Sequence, residues 1–138
     1  PNDIYVGNKN ASYLSKWQKD AGARFVTSEA ECSGTIAYTN IPDANFLQAL
    51  KDLGYGTGAV GNDIPTANLS GTTSLTLTYK DISSLTGIKD FAALEILKCD
   101  GNNLTSLDVS KNMALTFLDC EQNQITILKN HSSGLHVN

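Results

Sequence analysis

The chain has 138 residues, enough for one domain with its own hydrophobic core and too few for two large domains. Its net charge of −4 and pI of about 4.9 argue against sequence-independent nucleic-acid binding, which depends on clustered Lys and Arg. Because no run of about 18 apolar residues occurs, the sequence predicts no membrane-spanning helix.

Residues 1–40 carry no repeat and are predicted to form an N-terminal extension. A helix is predicted to begin at Asn10 or Ser12, because both residue types cap helices and an apolar face follows them. Short strands are predicted at residues 24–27 and 35–39.

Residues 41–71 are predicted to form a helical cap followed by a glycine-rich loop. Asp43 or the preceding Pro marks the start of an amphipathic helix of about three turns, which Gly54 ends. Such a helix is suited to cover the first strand of a repeat array. Its predicted apolar positions are Phe46, Leu47, Leu50 and Leu53.

The loop after this helix does not match the common ligand-binding loops. It follows a helix and has no Lys after its glycines, so it lacks the pattern of a phosphate-binding loop. For calcium it offers only Asn62 and Asp63 and no late Glu. We therefore expect no cofactor and no metal site.

Residues 72–130 repeat the pattern Leu-x-x-Leu-x-(Leu/Cys)-x-x-Asn-x-(Leu/Ile), which is a leucine-rich repeat signature. The two clear copies are 21 residues apart (115 − 94 = 21), and a degraded copy lies 22 residues earlier. The first clear copy contains Leu94, Leu97, Cys99, Asn102 and Leu104; the second contains Leu115, Leu118, Cys120, Asn123 and Ile125; the degraded copy contains Leu75, Leu77 and Ile82.

Each copy is predicted to begin with a short strand whose Leu and Cys point inward, and the Asn is predicted to turn the chain. Asn amides stacked in register would form a row that satisfies backbone groups at the bend. The second half of each copy, which we call the return, leads the chain back to the start of the next strand. The return is predicted to be irregular or 3₁₀, with Leu107 and Val109 inward and Ser110, Lys111 and Asn112 outward. The predicted fold class is an α/β leucine-rich repeat solenoid with an N-terminal helical cap, with repeats over residues 72–138.

The tail from His131 to Asn138 loses the pattern just as a new strand is due. It is either a final repeat turn with a degraded pattern or one end of a longer array, and the lack of an amphipathic C-terminal cap favours the longer array. Three cysteines leave at least one thiol unpaired. Cys99 and Cys120 are predicted to be buried and to act as small hydrophobes, whereas Cys32 lies outside the repeat.

Four segments resemble a known class of proteins: Ile-Pro-Asp-Ala-Asn-Phe at residues 41–46, Leu-Thr-Gly-Ile at 85–88, Leu-Thr-Ser-Leu-Asp-Val-Ser-Lys-Asn at 104–112, and Leu-Thr-Phe-Leu-Asp-Cys at 115–120. They resemble secreted or surface leucine-rich repeat proteins of Bacteroidetes with BspA-like repeats, and they are more distantly similar to internalin-like domains. The resemblance covers about residues 41–130.

The resemblance implies an exported, extracellular or cell-surface protein whose signal peptide has been removed. It also implies that the repeats serve in protein binding or adhesion and are not enzymatic. Many relatives carry an Asp-rich calcium-binding loop after the helix, whereas this chain has the glycine-rich stretch from Gly54 to Gly61.

The concave face of a curved stack of parallel strands is the default binding surface of such a fold. Ile96 and Phe117 occupy the same repeat position (117 − 96 = 21), which would set two large apolar groups side by side, as in a protein-binding hot spot. Three carboxylates would form either an acidic stripe for a basic partner or cation, or a solvated face. The candidate partner-binding residues are Tyr79, Ile96, Lys98, Asp100, Phe117, Asp119 and Glu121.

Two alternatives to protein binding remain open at this stage. A glycan could stack on aromatic rings, for which Tyr13, Trp17, Tyr55 and Tyr79 are candidates, and the fragment could instead be a spacer that holds another domain away from the cell surface. The first 40 residues could also fold across the concave face and cover it. No enzyme is predicted, since both histidines lie in the unpatterned tail.

Overall fold

The structure is a computed structural model that describes residues 35–131 and 134–138. The predicted helix beginning at Asn10 or Ser12, the predicted strand at residues 24–27, and Cys32 lie outside the described residues. The compact unit that contains nearly all of the described residues begins at Ile36.

Helix α1 spans Ala44–Asp52 and begins at the predicted cap. Asp43 is the N-cap, and its Oδ1 accepts hydrogen bonds from the backbone N–H groups of Asn45 at 3.0 Å and Phe46 at 2.9 Å. Gly54 follows the helix with a φ of 97°, a left-handed conformation that glycine adopts without steric cost. The buried side of the helix consists of Phe46, Leu47, Ala49 and Leu50.

Two short antiparallel strands flank this helix in the chain. Strand β1 spans Tyr38–Asn40 and pairs with β2, which spans Asp63–Pro65. The predicted strand at residues 35–39 is thus observed slightly later in the chain. Thr39 and Ile64 lie opposite each other and are both buried, so this small ladder contributes to the core.

The glycine-rich loop is fixed by an asparagine in the segment that follows it. A 3₁₀ turn spans Thr66–Asn68. The Asn68 amide nitrogen donates to the backbone carbonyls of Tyr55 at 2.9 Å and Thr57 at 2.7 Å. An added Cβ at Gly56 would lie 2.9 Å from Cγ of Lys51 in α1, and one at Gly58 would lie 3.2 Å from Cγ of Pro65 in β2, so the loop packs against both elements.

The repeats form a parallel four-stranded sheet, as the pattern predicts. Side chains alternate along each strand, so the central Leu of each of the first three strands is buried and its neighbours point away. The strands, in spatial order, are β3 (Ser74–Thr76), β4 (Ile96–Lys98), β6 (Phe117–Asp119) and β8 (His136–Val137).

Strand β8 corrects the prediction that the tail loses the pattern. His136 pairs with Phe117, and Val137 pairs with Leu118, in parallel register. The offset is 136 − 117 = 19, two residues shorter than the preceding step of 117 − 96 = 21. Because this offset differs from the repeat period, the spacing of the preceding copies does not predict the strand.

The return halves also differ from the prediction of irregular or 3₁₀ structure. A 3₁₀ turn does span Ile88–Asp90 in the first return. The next two returns are instead strands, β5 (Ser106–Asp108) and β7 (Ile127–Lys129), which pair in parallel with Leu107 opposite Leu128. Successive returns lie side by side in register, so their backbone groups satisfy one another as a second sheet.

The predicted row of asparagine amides is confirmed. The Asn102 amide nitrogen donates to the backbone carbonyls of Leu77 and Cys99, both at 2.8 Å. Its Oδ1 accepts from the backbone N–H groups of Lys80 and Ile82. Asn123, one repeat later, donates to the carbonyls of Cys99 and Cys120. Each amide thus bonds both its own turn and the one before it, which ties neighbouring copies together.

Asn112 does not lie outside, as the return half predicts, but is completely buried. Its amide nitrogen donates to the backbone carbonyls of Ile88 at 2.8 Å and Phe91 at 3.2 Å, again in the preceding copy. Within residues 35–131 and 134–138, its Oδ1 has no hydrogen-bond partner. The donated bonds explain its burial, because a buried amide must satisfy its donors.

Candidate binding surface

The outward positions of the four-stranded sheet form one continuous surface, which we call the sheet face. Its first row joins Ser74, Ile96, Phe117 and His136, one from each strand, in hydrogen-bonded register. Ile96 is 36% exposed, and Phe117 is half-buried. The two predicted apolar residues are therefore adjacent, and the hypothesis that they form a pair in register is correct.

His136 extends this row and was not predicted. Its ring stacks on that of Phe117, with ring centroids 5.5 Å apart and an interplanar angle of 17°. The sequence analysis missed His136 because it lies in the shortened turn before β8. The apolar pair is thus a three-residue row, which we call the apolar row: Ile96, Phe117 and His136.

Lys98 lies beside Asp119, one of the three carboxylates for which the sequence left open an acidic stripe or a solvated face. In the second row, Thr76, Lys98 and Asp119 lie side by side. Beyond the strand ends, Asp100 and Glu121 lie in adjacent copies, since the N–H of Gly101 donates to the Glu121 carbonyl at 3.0 Å. The sheet face therefore carries both signs of charge below the apolar row.

Tyr79 lies at the far end of the sheet face from the apolar row and spans three copies. Its ring rests against Gly101, where an added Cβ would lie 2.3 Å from Cε1 and 2.4 Å from Cδ1. Its hydroxyl donates to Oε1 of Gln122 at 2.8 Å. These three residues occupy the same repeat position and share left-handed φ values of 53°, 70° and 55°.

Tyr55, another aromatic residue proposed for glycan stacking, does not belong to this surface. Tyr55 is half-buried, and its ring packs edge-on against Phe91, with centroids 6.2 Å apart at 80°. It therefore serves the core and is not a free stacking ring. Tyr13 and Trp17 lie outside the described residues.

A shallow cavity of about 320 Å³ lies on the return side of the repeats. Its polar lining combines hydroxyls with charges of both signs, and Leu85, Ile88 and Leu107 contribute to its apolar part. The sequence analysis did not predict it, because it forms between two returns that are distant in sequence. Its polar residues are Ser84, Thr86, Lys89, Ser106, Asp108 and Lys111.

The two repeat cysteines are free thiols at the inward position of successive copies. Cys99 is fully buried, as predicted, whereas Cys120 is only half-buried near the last strand. Burial raises the pKa of the Cys99 thiol far above its ordinary value, and burial also raises the pKa of Cys120. Cys99 is therefore a neutral, unreactive core residue at physiological pH.

Comparison with solved structures identifies the fold. The functional domain of InlJ from Listeria monocytogenes, which includes a cysteine ladder, is 28% identical over 67% of this chain, with a TM-score of 0.53. The structure of the CBM51-2 and INT domains of Clostridium perfringens ZmpB is 31% identical over 60% of this chain, with a TM-score of 0.50. The described repeats have an internalin-like leucine-rich repeat fold.

A third similar structure is an internalin, InlF, from Listeria monocytogenes, which is 22% identical over 64% of this chain with a TM-score of 0.49. The chain spans only 17%, 23% and 29% of the lengths of the ZmpB, InlJ and InlF chains. No protein-family model matches the chain, and no curated protein sequence does.

Two further observations concern residues 35–131 and 134–138. No helix there is long and apolar enough to cross a membrane. In the same residues, no group of three or more His, Cys, Asp or Glu side chains is placed to hold a metal ion.

Proposed function

We propose that this chain is a non-catalytic adhesion module of an exported, cell-surface or extracellular protein, and that it binds a protein partner through the sheet face. The proposal treats the repeats as a short solenoid, the sheet face as its concave side, and α1 as its N-terminal cap. Similarity to internalin-like domains supports the protein-binding role. Origin in a Bacteroidetes-type surface protein with BspA-like repeats stays a prediction from the sequence.

The observation that carries the proposal is the apolar row. Ile96, Phe117 and His136 are aligned across three strands and lie above a row that contains Lys98 and Asp119. Apolar and aromatic groups rimmed by charge are typical of a protein-binding hot spot, in which the apolar centre excludes water and the charged rim orients the partner.

The histidines support a non-catalytic role, since both make structural contacts. A ring nitrogen of His131 lies 2.9 Å from the Leu115 carbonyl, and His136 stacks on Phe117. Neither contact resembles the pairing of a catalytic base with a nucleophile.

The test is capture of host extracellular proteins by immobilised wild type and by an Ile96→Ser/Phe117→Ser double variant. A captured partner should bind the double variant about 30-fold or more weakly, because hot-spot residues each contribute more than about 2 kcal/mol. The matched control is Met113→Ser/Ile127→Ser, which removes two exposed apolar residues that lie outside the sheet face.

All variants must show unchanged melting temperatures before capture is compared. Equal capture by wild type and the Ile96→Ser/Phe117→Ser variant would contradict binding through the apolar row. No capture by wild type would instead favour a spacer role for the chain.

A further inference from the structure

Tyr79 is held in one orientation although it is largely exposed. One side of its ring rests against Gly101, its hydroxyl is anchored on Gln122 at 2.8 Å, and the residue remains 62% exposed. Exposed tyrosines ordinarily rotate between rotamers, and ordering them on binding costs entropy. Here two contacts have already ordered the ring, and most of the residue is still exposed to solvent.

Gly101 makes this arrangement sterically feasible. Every larger residue would place its Cβ within 2.3 Å of the Tyr79 ring and would push the ring away. The glycine also has a φ of 70°, which larger residues rarely adopt. Neighbouring copies thus supply a gap at position 101 and a hydrogen-bond acceptor at position 122, and together they hold the ring across the stack.

Residues with polar side chains lie next in sequence to Tyr79 and to its equivalents Gly101 and Gln122. The N–H of Tyr79 donates to the Asp100 carbonyl, which places Asp100 in the adjacent copy, and Glu121 follows in the next. Carboxylates accept hydrogen bonds from hydroxyls, and Gln122 still has its amide NH₂ group as a donor. Within two residues of Tyr79, Gly101 and Gln122 the sequence has three acidic residues, Asp81, Asp100 and Glu121, and one basic residue, Lys80.

We propose that Tyr79 is the stacking platform of a binding site for a neutral pyranose unit of a glycan. The C–H groups on one face of a pyranose ring carry partial positive charge and pack against the negative face of an aromatic ring. The hydroxyls around the sugar edge then meet Asp100, Glu121 and the Gln122 amide. Because the surroundings are acidic, the site selects against sialic and uronic acids.

This site goes beyond the proposed protein-binding function and does not depend on it. The apolar row begins each strand, whereas the Tyr79 site lies beyond the strand ends, so the two use opposite ends of the sheet face. A variant that disrupts one can therefore leave the other intact.

The experiment is saturation-transfer NMR on the full chain with cellotetraose, chitotetraose and 3′-sialyllactose as probes. Wild type is compared with Tyr79→Ala, which removes the ring, and Tyr79→Phe, which keeps the ring and loses the bond to Gln122. The matched control is Tyr38→Ala, because Tyr38 is also an exposed tyrosine but lies in β1. Amide spectra establish that each variant is folded.

We expect saturation transfer from wild type and from Tyr38→Ala to the sugar-ring protons of at least one neutral probe. Tyr79→Ala should bind that probe at least about tenfold more weakly, as is usual when a stacking ring is removed, and Tyr79→Phe should fall between. The Ile96→Ser/Phe117→Ser variant should bind the probe like wild type even if protein capture fails.

Several results would overturn the proposal. These are no transfer to either neutral probe, equal transfer with Tyr79→Ala, or stronger binding of 3′-sialyllactose than of the neutral probes. Loss of a captured protein partner in Tyr79→Ala, without sugar binding by wild type, would also overturn it and assign Tyr79 to the protein-binding surface.

Discussion

At the scale of single residues, the buried asparagines do more than turn the chain. Asn102 is 3% exposed and bonds to five backbone groups, so its amide replaces the hydrogen bonds that the backbone loses at the bend. The degraded copy has Lys80 at this position, and the Asn102 amide from the next copy reaches back to its N–H. One amide thus serves two turns.

Replacing Asn102 with Ala should therefore lower the free energy of unfolding by about 3 kcal/mol, because several backbone groups lose their partners at once. Urea unfolding followed by circular dichroism measures the change. The matched control is Asn103→Ala, since the neighbouring asparagine is exposed, and its effect should stay within about 0.5 kcal/mol. Similar losses in both variants would disprove the bridging role of Asn102.

At the scale of elements, one carboxylate joins α1 to the first repeat. Asp43 caps the helix with Oδ1, while its Oδ2 accepts from the backbone N–H groups of Ser83 at 2.9 Å and Ser84 at 3.1 Å. The motif Ile-Pro-Asp-Ala-Asn-Phe at residues 41–46 thus encodes a contact between elements as well as a helix start.

Asp43→Ala should cost about 2–3 kcal/mol of stability, because it removes both the helix cap and the link to the repeat. Asp43→Asn should cost less, since its one remaining carbonyl oxygen can keep only one of the two pairs of bonds. Chemical unfolding of the two variants beside wild type would show this order. An Asn variant as unstable as the Ala variant would mean that both oxygens act as one unit.

A second link between elements depends on pH. Thr39 in β1 donates to Oδ2 of Asp90 at 2.7 Å. Burial alone would raise the pKa of Asp90, but hydrogen bonds from Thr39 and Lys89 and the charge of Lys89 hold it below the ordinary value. The ionised form is therefore favoured by folding, and its contribution to stability is present at neutral pH and lost as pH falls through the lowered pKa.

Thr39→Val should raise the pKa of Asp90, because it removes a hydrogen bond to the ionised carboxylate. The variant should therefore lose less of its free energy of unfolding than wild type does as the pH falls below about 4. NMR titration of the Asp90 carboxylate reads the pKa directly, and unfolding at several pH values reads the linked stability. An unchanged pKa in the variant would assign the shift to Lys89 instead.

At the scale of the whole repeat stack, β4 and β6 each pair with a strand on both sides, whereas β8 pairs with β6 alone within the described residues. The N–H of Cys99 donates to the Asp119 carbonyl at 2.7 Å, between strands that have neighbours on both sides. The N–H of Cys120 donates to the Asn138 carbonyl at 3.1 Å, next to a strand of two residues. A strand that pairs on one side opens more readily than strands that pair on both sides.

The amide of Cys99 should consequently exchange with solvent at least about tenfold more slowly than that of Cys120. Hydrogen–deuterium exchange followed by NMR gives both rates in one sample. The exchange rates of the Leu97 and Leu118 amides, at the centres of β4 and β6, serve as an internal comparison. Equal rates would mean that the stack opens as a single unit.

Much of this architecture follows from local pattern. The inward Leu and Cys, the outward Ile96 and Phe117, and the start of α1 were predictable because strand side chains alternate with a period of two and because Asp caps helices. The step of 21 residues between the two clear copies then places Ile96 beside Phe117, so the register of these two strands needs no further information.

Other features depend on contacts between copies, which no single copy specifies. The return segments become strands only because a neighbouring return offers backbone partners, and Asn112 is buried only because Ile88 and Phe91 present carbonyls to it. Likewise, His136 stacks on Phe117 because the turn before β8 is two residues shorter than the repeat. The Tyr79 ring packs against Gly101 because that residue has no Cβ. Local pattern determined which strand residues face outward, because side chains alternate along a strand. Packing between copies decided the burial of Asn112 and the contacts of His136 and Tyr79, because each of these depends on groups in another copy.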